Sequence, residues 1–443
     1  MNNTLLKNGI VVDGTGKKPY QADVLIRDGL IADIGKIEAK DILTIDATGK
    51  AVSPGFIDIH THSDAGAVVS YRAECKPCQG VTTEIGGNCG ISIVPSNPDN
   101  REAISEYFRS ELQYPLLNTK IDFHTVSEYA KCAELTPQPS NYGLLIGHGT
   151  LRACVMGFGS QDPSKAELDK MCGRLRDELD EGAFGLSLGL IYPPSAFANR
   201  MELDALAKVV KEKNCLLTAH IRNEGPHVFE ALDEVLGIAE RTGVHLEISH
   251  FKIMTKSLWG QSDKLLEYID RARCRGINVT CDQYPYNASS TALSALLPKW
   301  AHNGGPKRMV MRAKEKSDDL LCDVAAEMES RGGADCVLVV STRGQHTEWE
   351  EKTIADLSKI LSCSPEETVL KVLADCNAAV DCIYFSQYQE DVLQIFSRPD
   401  ISVISDGYNF SYNRKLQRIS LIQEVLEHSR AHLPWHEIKS SCR

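Results

Sequence analysis

Six side chains in this sequence are of the kinds that hold and use a metal ion: His60, His62, Cys89, His220, His250 and Asp406. His60 and His62 stand two apart in IHTHSD. Along an extended strand, positions i and i+2 face the same side, so both imidazoles can reach one ion. The others follow separate short apolar runs. Asn88-Cys89-Gly90 comes after VTTEIGG, Ala219-His220 ends LLTAH, Ser249-His250 ends HLEISH, and Ser405-Asp406-Gly407 ends ISVISDG. Imidazole, thiolate and carboxylate together make a zinc-type donor set. A single histidine at a strand end is ordinarily a hydrogen-bonded structural residue. Four histidines, a cysteine and an aspartate at the same end of successive runs are better explained as one site. His148 also follows such a run, in YGLLIGHGTLR, and could serve the site. His245 begins its run and reads as structural, and Cys274 and Cys281 read as packing residues.

The elements that must position these groups follow from the pattern around them. Residues 1–54 alternate as short strands do and are punctuated by Gly and Asp turns, which predicts a small N-terminal β domain. From Phe56 the texture changes. FIDIHTH, VTTEIGG, YGLLIGH, AFGLSLG, LLTAHIR, HLEISHF, INVTCDQY and ISVISDG are strand-like runs separated by helix-length segments. Eight such runs predict an α/β fold, a TIM (β/α)8 barrel, whose active site lies at the C-terminal ends of its strands. An open, doubly wound sheet would give the same alternation; ligand-type residues at the strand ends favour the barrel. A ninth run, CVLVVST, falls in the long gap between Tyr286 and Ile401. We read an insertion over the barrel mouth near 291–345, within a barrel domain spanning 55–413.

The 443-residue chain carries a net charge of −12 and no Lys/Arg run, which argues against a nucleic-acid partner. No apolar run is long enough to span a membrane, and MNNTLLKNGIVVDG lacks the layout of a signal peptide. The expectation is a cytoplasmic protein with no membrane partner. The 15 cysteines are then mostly reduced and bland, including the lone CxxC of Cys75 and Cys78.

GFIDIHTHSD (55–64) resembles the first-strand motif of the amidohydrolase superfamily. GVTTEIGGNCGIS (80–92), SLGLIYPP (187–194), AHIRNEG (219–225), ISHFK (248–252), DQYPYNASST (282–291) and SDG (405–407) look like its D-aminoacylase branch, the N-acyl-D-amino-acid deacylases. The resemblance implies that Cys89, His220 and His250 hold a tight Zn2+, that His60 and His62 hold a second, weaker one, and that Asp406 is general base and acid. It further implies that Lys252, Tyr284 and Ser290 bind the substrate α-carboxylate and that Tyr192 lines the site. A cation and two hydroxyls suit a carboxylate. The implied partner is a small-molecule N-acyl-D-amino acid, cleaved to a D-amino acid and a carboxylate. Ring-opening relatives usually carry a carboxylated lysine after strand 4, where this chain reads FGLSLGL. The apolar TALSALLPKW (291–300) favours neutral or apolar side chains, unless those leucines are core. Competing readings are a cyclic-amide or dipeptide hydrolase, or an inactive remnant that keeps the ligands.

The resemblance stops after Asn413. The relatives continue with an HPR arginine, an FGTFPR segment and a strand that completes the β domain. Residues 414–443 show none of these. Synonymous codons exist for residues 421–438 under which a shifted frame reads HPRSFGTFPRALAMARN, so we read this tail as out of frame. The alternative is a genuine amphipathic helix over Leu416–His428. Either way the expectation is uncovered apolar surface on the N-terminal strands and a weak or unstable enzyme.

Overall fold

The computed structural model describes residues 3–68, 75–111, 123–136 and 138–408; the tail at 414–443 lies outside them. The chain divides into two compact units, one of residues 1–57 and 80–82, the other of 58–79 and 83–443.

In the first unit, β1 (Thr4–Val11), β2 (Tyr20–Arg27), β3 (Leu30–Gly35), β4 (Leu43–Asp46) and β5 (Ala51–Val52) form one sheet in the order β3-β2-β1-β4, with β5 also on β1. The β2–β3 hairpin turns on Asp28-Gly29, whose φ angles of +50° and +81° suit the tight turn that Asp-Gly favours. One sheet face packs Leu5 and Leu25 against Ile37. The other carries the cross-strand rows Ile34–Val24–Leu6–Ile45 and Ile31–Ile26–Thr4–Leu43. On that face Ile31 and Leu43 are 64% and 57% exposed.

The remaining strands are β6 (Phe56–Asp58), β7 (Val81–Gly86), β8 (Asn141–Leu144), β9 (Ile146–Gly147), β10 (Gly185–Gly189), β11 (Leu216–His220), β12 (His245–Ile248), β13 (Val279–Gln283), β14 (Ser289–Ala292), β15 (Val337–Ser341), β16 (Lys352–Thr353), β17 (Asp381–Tyr384) and β18 (Ile401–Val403). Each of the eight predicted runs holds a strand. β6, β7 and β8 form one sheet, and β9 to β13 with β18 form a second in sequence order. Their registered pairs are parallel. Backbone bonds continue between these sheets, from Leu145 to Gly86 and from Phe184 to Leu144, both 2.9 Å. At the far side Thr61 bridges Gly407 in parallel fashion, His62 N donates to Gly407 O at 3.0 Å, and Asp406 N donates to His60 O at 3.1 Å.

The connecting helices follow from caps and apolar periodicity. Ser164 and Glu167 form a reciprocal capping box that starts Lys165–Asp180, and Asn199 caps Arg200–Glu212. Their apolar faces bury Leu175, Leu203, Leu206 and Val210 in one core with Leu186, Leu217, Leu246 and Ile248 of the strands. Each such side chain contributes about 1.5–3 kcal/mol on burial. Among the described residues no helix is long and apolar enough to cross a membrane.

The ninth run, β15, belongs to a separate sheet in the order β14-β17-β15-β16 with antiparallel pairs. This inserted body runs from Ser289 to Tyr384, further than 291–345, because its later helices share the apolar period of the connecting helices. Leu293, Leu296 and Leu297 lie in its own core with Leu320, Val324 and Leu373. They are packing residues, so the apolar 291–300 stretch does not report side-chain preference.

Candidate active site

The strand exits bring the predicted ligands together through tight turns. After β7, Gly87 has φ +76°, and a Cβ there would lie 1.9 Å from Leu145 O, so only glycine fits. Asn88 Nδ2 donates to Ile85 O at 3.0 Å and reaches Ile59 O and Thr61 O at 3.4 Å, tying this turn to the first strand's exit. Cys89 (φ +53°), His250 (φ +36°) and Asp406 (φ +50°) all have left-handed backbone, which aims their side chains inward as the chain reverses.

His60 is fully buried. Its Nε2 lies 3.3 Å from Cys89 Sγ and 3.2 Å from Asp406 Oδ1, and its Nδ1 lies 3.2 Å from Asp282 Oδ2. His62 Nε2 approaches the same Asp406 Oδ1 at 3.1 Å. Cys89 Sγ is 3.5 Å from His250 Nε2, and the His250 ring meets the His220 ring edge-on at 4.4 Å. Donor atoms of His60, Cys89, His250 and Asp406 all lie within 4.8 Å of one another.

Burial alone would raise the Cys89 thiol, but the His60 and His250 imidazoles hold it well below its ordinary range. Asp406 is likewise raised by burial and brought far lower by the His60 and His250 charges and by bonds to His60 and His62. Burial and the neighbouring His250 keep His220 neutral, outweighing Glu224, and neither of its ring nitrogens makes a hydrogen bond. A ready thiolate, the unpartnered ring nitrogens of His220 and a carboxylate, converging inside one site, fit a divalent zinc-type ion.

Among the residues expected to meet the substrate, Tyr192 lies beside the cluster, its ring 5.0 Å from that of His220 and its hydroxyl 3.1 Å from Thr291 Oγ1. Lys252 is buried, with Nζ 2.9 Å from His250 Nδ1 and 5.4 Å from the Tyr284 ring centre. The Tyr284 hydroxyl accepts from Gln387 Nε2 at 2.8 Å. Ser290 sits on β14, and its hydroxyl donates to Cys382 O at 3.2 Å.

His148 does not join the cluster. Its Nδ1 lies 2.5 Å from Ser195 Oγ and its Nε2 2.8 Å from Glu202 Oε1, with Arg152 on the same carboxylate. These side chains are fully buried and clamp the turn after Tyr192. His245 bonds Thr280 Oγ1 at 3.0 Å.

Two residues not singled out from the sequence belong here. Asp282 bridges two cluster histidines, taking the His60 Nδ1 bond on Oδ2 and the His250 backbone N–H on Oδ1. Its place at the end of β13 was the available signal. Glu224, four positions after His220, puts Oε1 3.0 Å from His250 Nδ1 and 2.5 Å from Lys252 Nζ. Carboxylates behind ligating histidines fix ring orientation and tautomer.

A sequence profile of the Amidohydrolase family matches residues 43–257. The chain is 40% identical over 405 residues to the N-acyl-D-glutamate deacylase of Alcaligenes xylosoxydans xylosoxydans, an overlap covering 91% of this chain and 73% of that enzyme. It is 30% identical to the N-acyl-D-aspartate deacylase of the same organism over 414 residues, 92% of this chain and 72% of the relative. It superposes on the crystal structure of the N-acyl-D-glutamate deacylase of Bordetella bronchiseptica, complexed with zinc and a phosphonate mimic of the tetrahedral intermediate, with TM-score 0.74 and 33% identity over 91% of this chain and 75% of that one. The crystal structure of a D-aminoacylase gives TM-score 0.72 and 29% identity over the same shares. The site and the profile are those of an amidohydrolase. Within that class, the chain belongs to the D-aminoacylase, or N-acyl-D-amino-acid deacylase, family.

Proposed function

We propose that this protein is a zinc-dependent hydrolase that cleaves the amide bond of an N-acyl-D-amino acid, releasing the D-amino acid and a carboxylate. The observation that carries this reading is the convergence of His60, Cys89, His250 and Asp406 donor atoms within 4.8 Å. The parallel strands supporting them are read as a closed (β/α)8 barrel, a reading supported by the Thr61–Gly407 bridge that returns the last strand's exit to the first.

Cys89, His220 and His250 would hold the tight metal, and His60 and His62 the weaker one. When bound, the metal supplies Lewis acidity that activates water and polarises the amide carbonyl. Asp406, held against His60 and His62, takes a proton from the attacking water and returns it to the leaving amine. Lys252 and Tyr284 receive the substrate α-carboxylate, with Ser290 as a third contact and Tyr192 packing beside it. Gln387 donates to the Tyr284 oxygen, which leaves the phenol proton free to point at that anion.

The test is hydrolysis of paired N-acetyl-D- and N-acetyl-L-amino acids by the purified chain, with and without a chelator. D-selective release that chelation abolishes and zinc restores is expected. Chelator-resistant turnover, or equal cleavage of L isomers, would overturn the assignment.

A further inference from the structure

A buried lysine stands behind the catalytic turn without touching the metal cluster. Lys76 is 3% exposed, and three oxygens surround its ammonium: Asp58 Oδ2 at 3.1 Å and Glu84 Oε2 at 3.0 Å as ion pairs, and Gly407 O at 3.3 Å. Asp58 ends β6, Glu84 lies within β7, and Gly407 follows β18, so one side chain links three strands. The second oxygen of Asp58 accepts from Ser405 N at 3.1 Å. Ser405 and Gly407 flank Asp406, whose left-handed backbone (φ +50°) is one that a non-glycine residue keeps only under outside constraint.

We propose that Lys76 is a positioning residue for Asp406: with Asp58 it pins both sides of the Ser405–Gly407 turn and so aims the carboxylate at its place beside His60 and His62. Buried ionic groups add little net stability compared with apolar packing of the same shape. Their place against this turn gives them a geometric task. The inference rests on the reading of Asp406 as proton carrier.

The experiment uses the full, zinc-loaded chain and compares Lys76→Met, Lys76→Arg, Asp406→Asn and the double variant Lys76→Met/Asp406→Asn. A triple variant, Lys76→Met/Asp58→Asn/Glu84→Gln, removes every charge of the triad and serves if the unpaired carboxylates prevent Lys76→Met from folding. We expect Lys76→Met to lower kcat about 100-fold, the scale of a small misplacement of a reacting group, with KM and bound zinc unchanged. Lys76→Arg should recover part of the loss, and Lys76→Met should add nothing in the Asp406→Asn background. Crystal structures of wild type and Lys76→Met should show Asp406 leaving the left-handed region. Wild-type kcat in a folded Lys76→Met variant, additive losses in the double variant, or loss of zinc in step with kcat would overturn the inference. Full activity in Asp406→Asn would instead overturn the proton-carrier reading, and the crystal structures would then decide whether Lys76 holds the turn.

Discussion

His62 Nε2 lies 3.1 Å from Asp406 Oδ1, although 344 positions separate the two in sequence. His60 Nε2 reaches the same oxygen at 3.2 Å. The exits of the first and last strands therefore meet at one carboxylate, and the reaction is expected to depend on it. Asp406→Asn keeps the size and loses the proposed base. It should lower kcat by about 10²–10⁴-fold while zinc per chain, measured by atomic absorption, stays near wild type.

Cys89 should show the opposite division. It offers the one thiolate of the cluster, so Cys89→Ala should remove the tight metal and activity together. Equilibrium dialysis against zinc reads this directly.

Lys252 is held by Glu224 and stands over Tyr284. If Lys252 receives the substrate carboxylate as proposed, Lys252→Met removes that cation and should raise KM roughly 10–100-fold, the worth of a charge-assisted hydrogen bond. Steady-state kinetics should show a smaller change in kcat.

Glu247 gives a prediction about pH. Burial, and then the neighbouring Asp282, push its carboxyl up from 4.5 to about 8, against the lowering effect of the Thr280 hydroxyl. Between these values the folded protein binds a proton that the unfolded chain has released. Glu247 therefore costs stability as pH rises from 4.5 towards 8, in full above 8 and not at all below 4.5. Glu247→Gln should match wild type near pH 4 and exceed it above pH 8 by an amount of the order of a few kcal/mol. Urea unfolding across that range, at saturating zinc, is the measurement.

The exposed face of the N-terminal sheet offers Ile31, Ile34, Leu43 and Ile45 to solvent. Contiguous apolar surface of this kind binds hydrophobic dyes and promotes association. Wild type should bind anilinonaphthalene sulfonate and aggregate on warming, and Ile31→Thr with Leu43→Lys should reduce both.

Much of this arrangement was legible because strand exits leave a local trace. An apolar run followed by His220, His250 or Asp406 places a polar group at a predictable end of a strand. Asp282 was equally placed but appeared only inside a motif. Glu224 and Lys76 were not legible, since both lie in irregular segments where no periodicity says which way a side chain points. The leucines at 293, 296 and 297 suggested a substrate pocket because composition cannot separate a lining from a core. His148 shared the strand-end position of the ligands, and only its buried partners Ser195 and Glu202 reveal a clamp.

The left-handed backbone at Cys89, His250 and Asp406 bears on how this protein can be improved. Each such residue costs about 1–3 kcal/mol that glycine would not. A screen for heat resistance on the metal-free protein, where bound zinc adds no stability, would therefore be drawn to glycine at these three positions, and its survivors would lack groups proposed for the reaction. Thermostable variants are better sought with turnover as a second criterion from the first round.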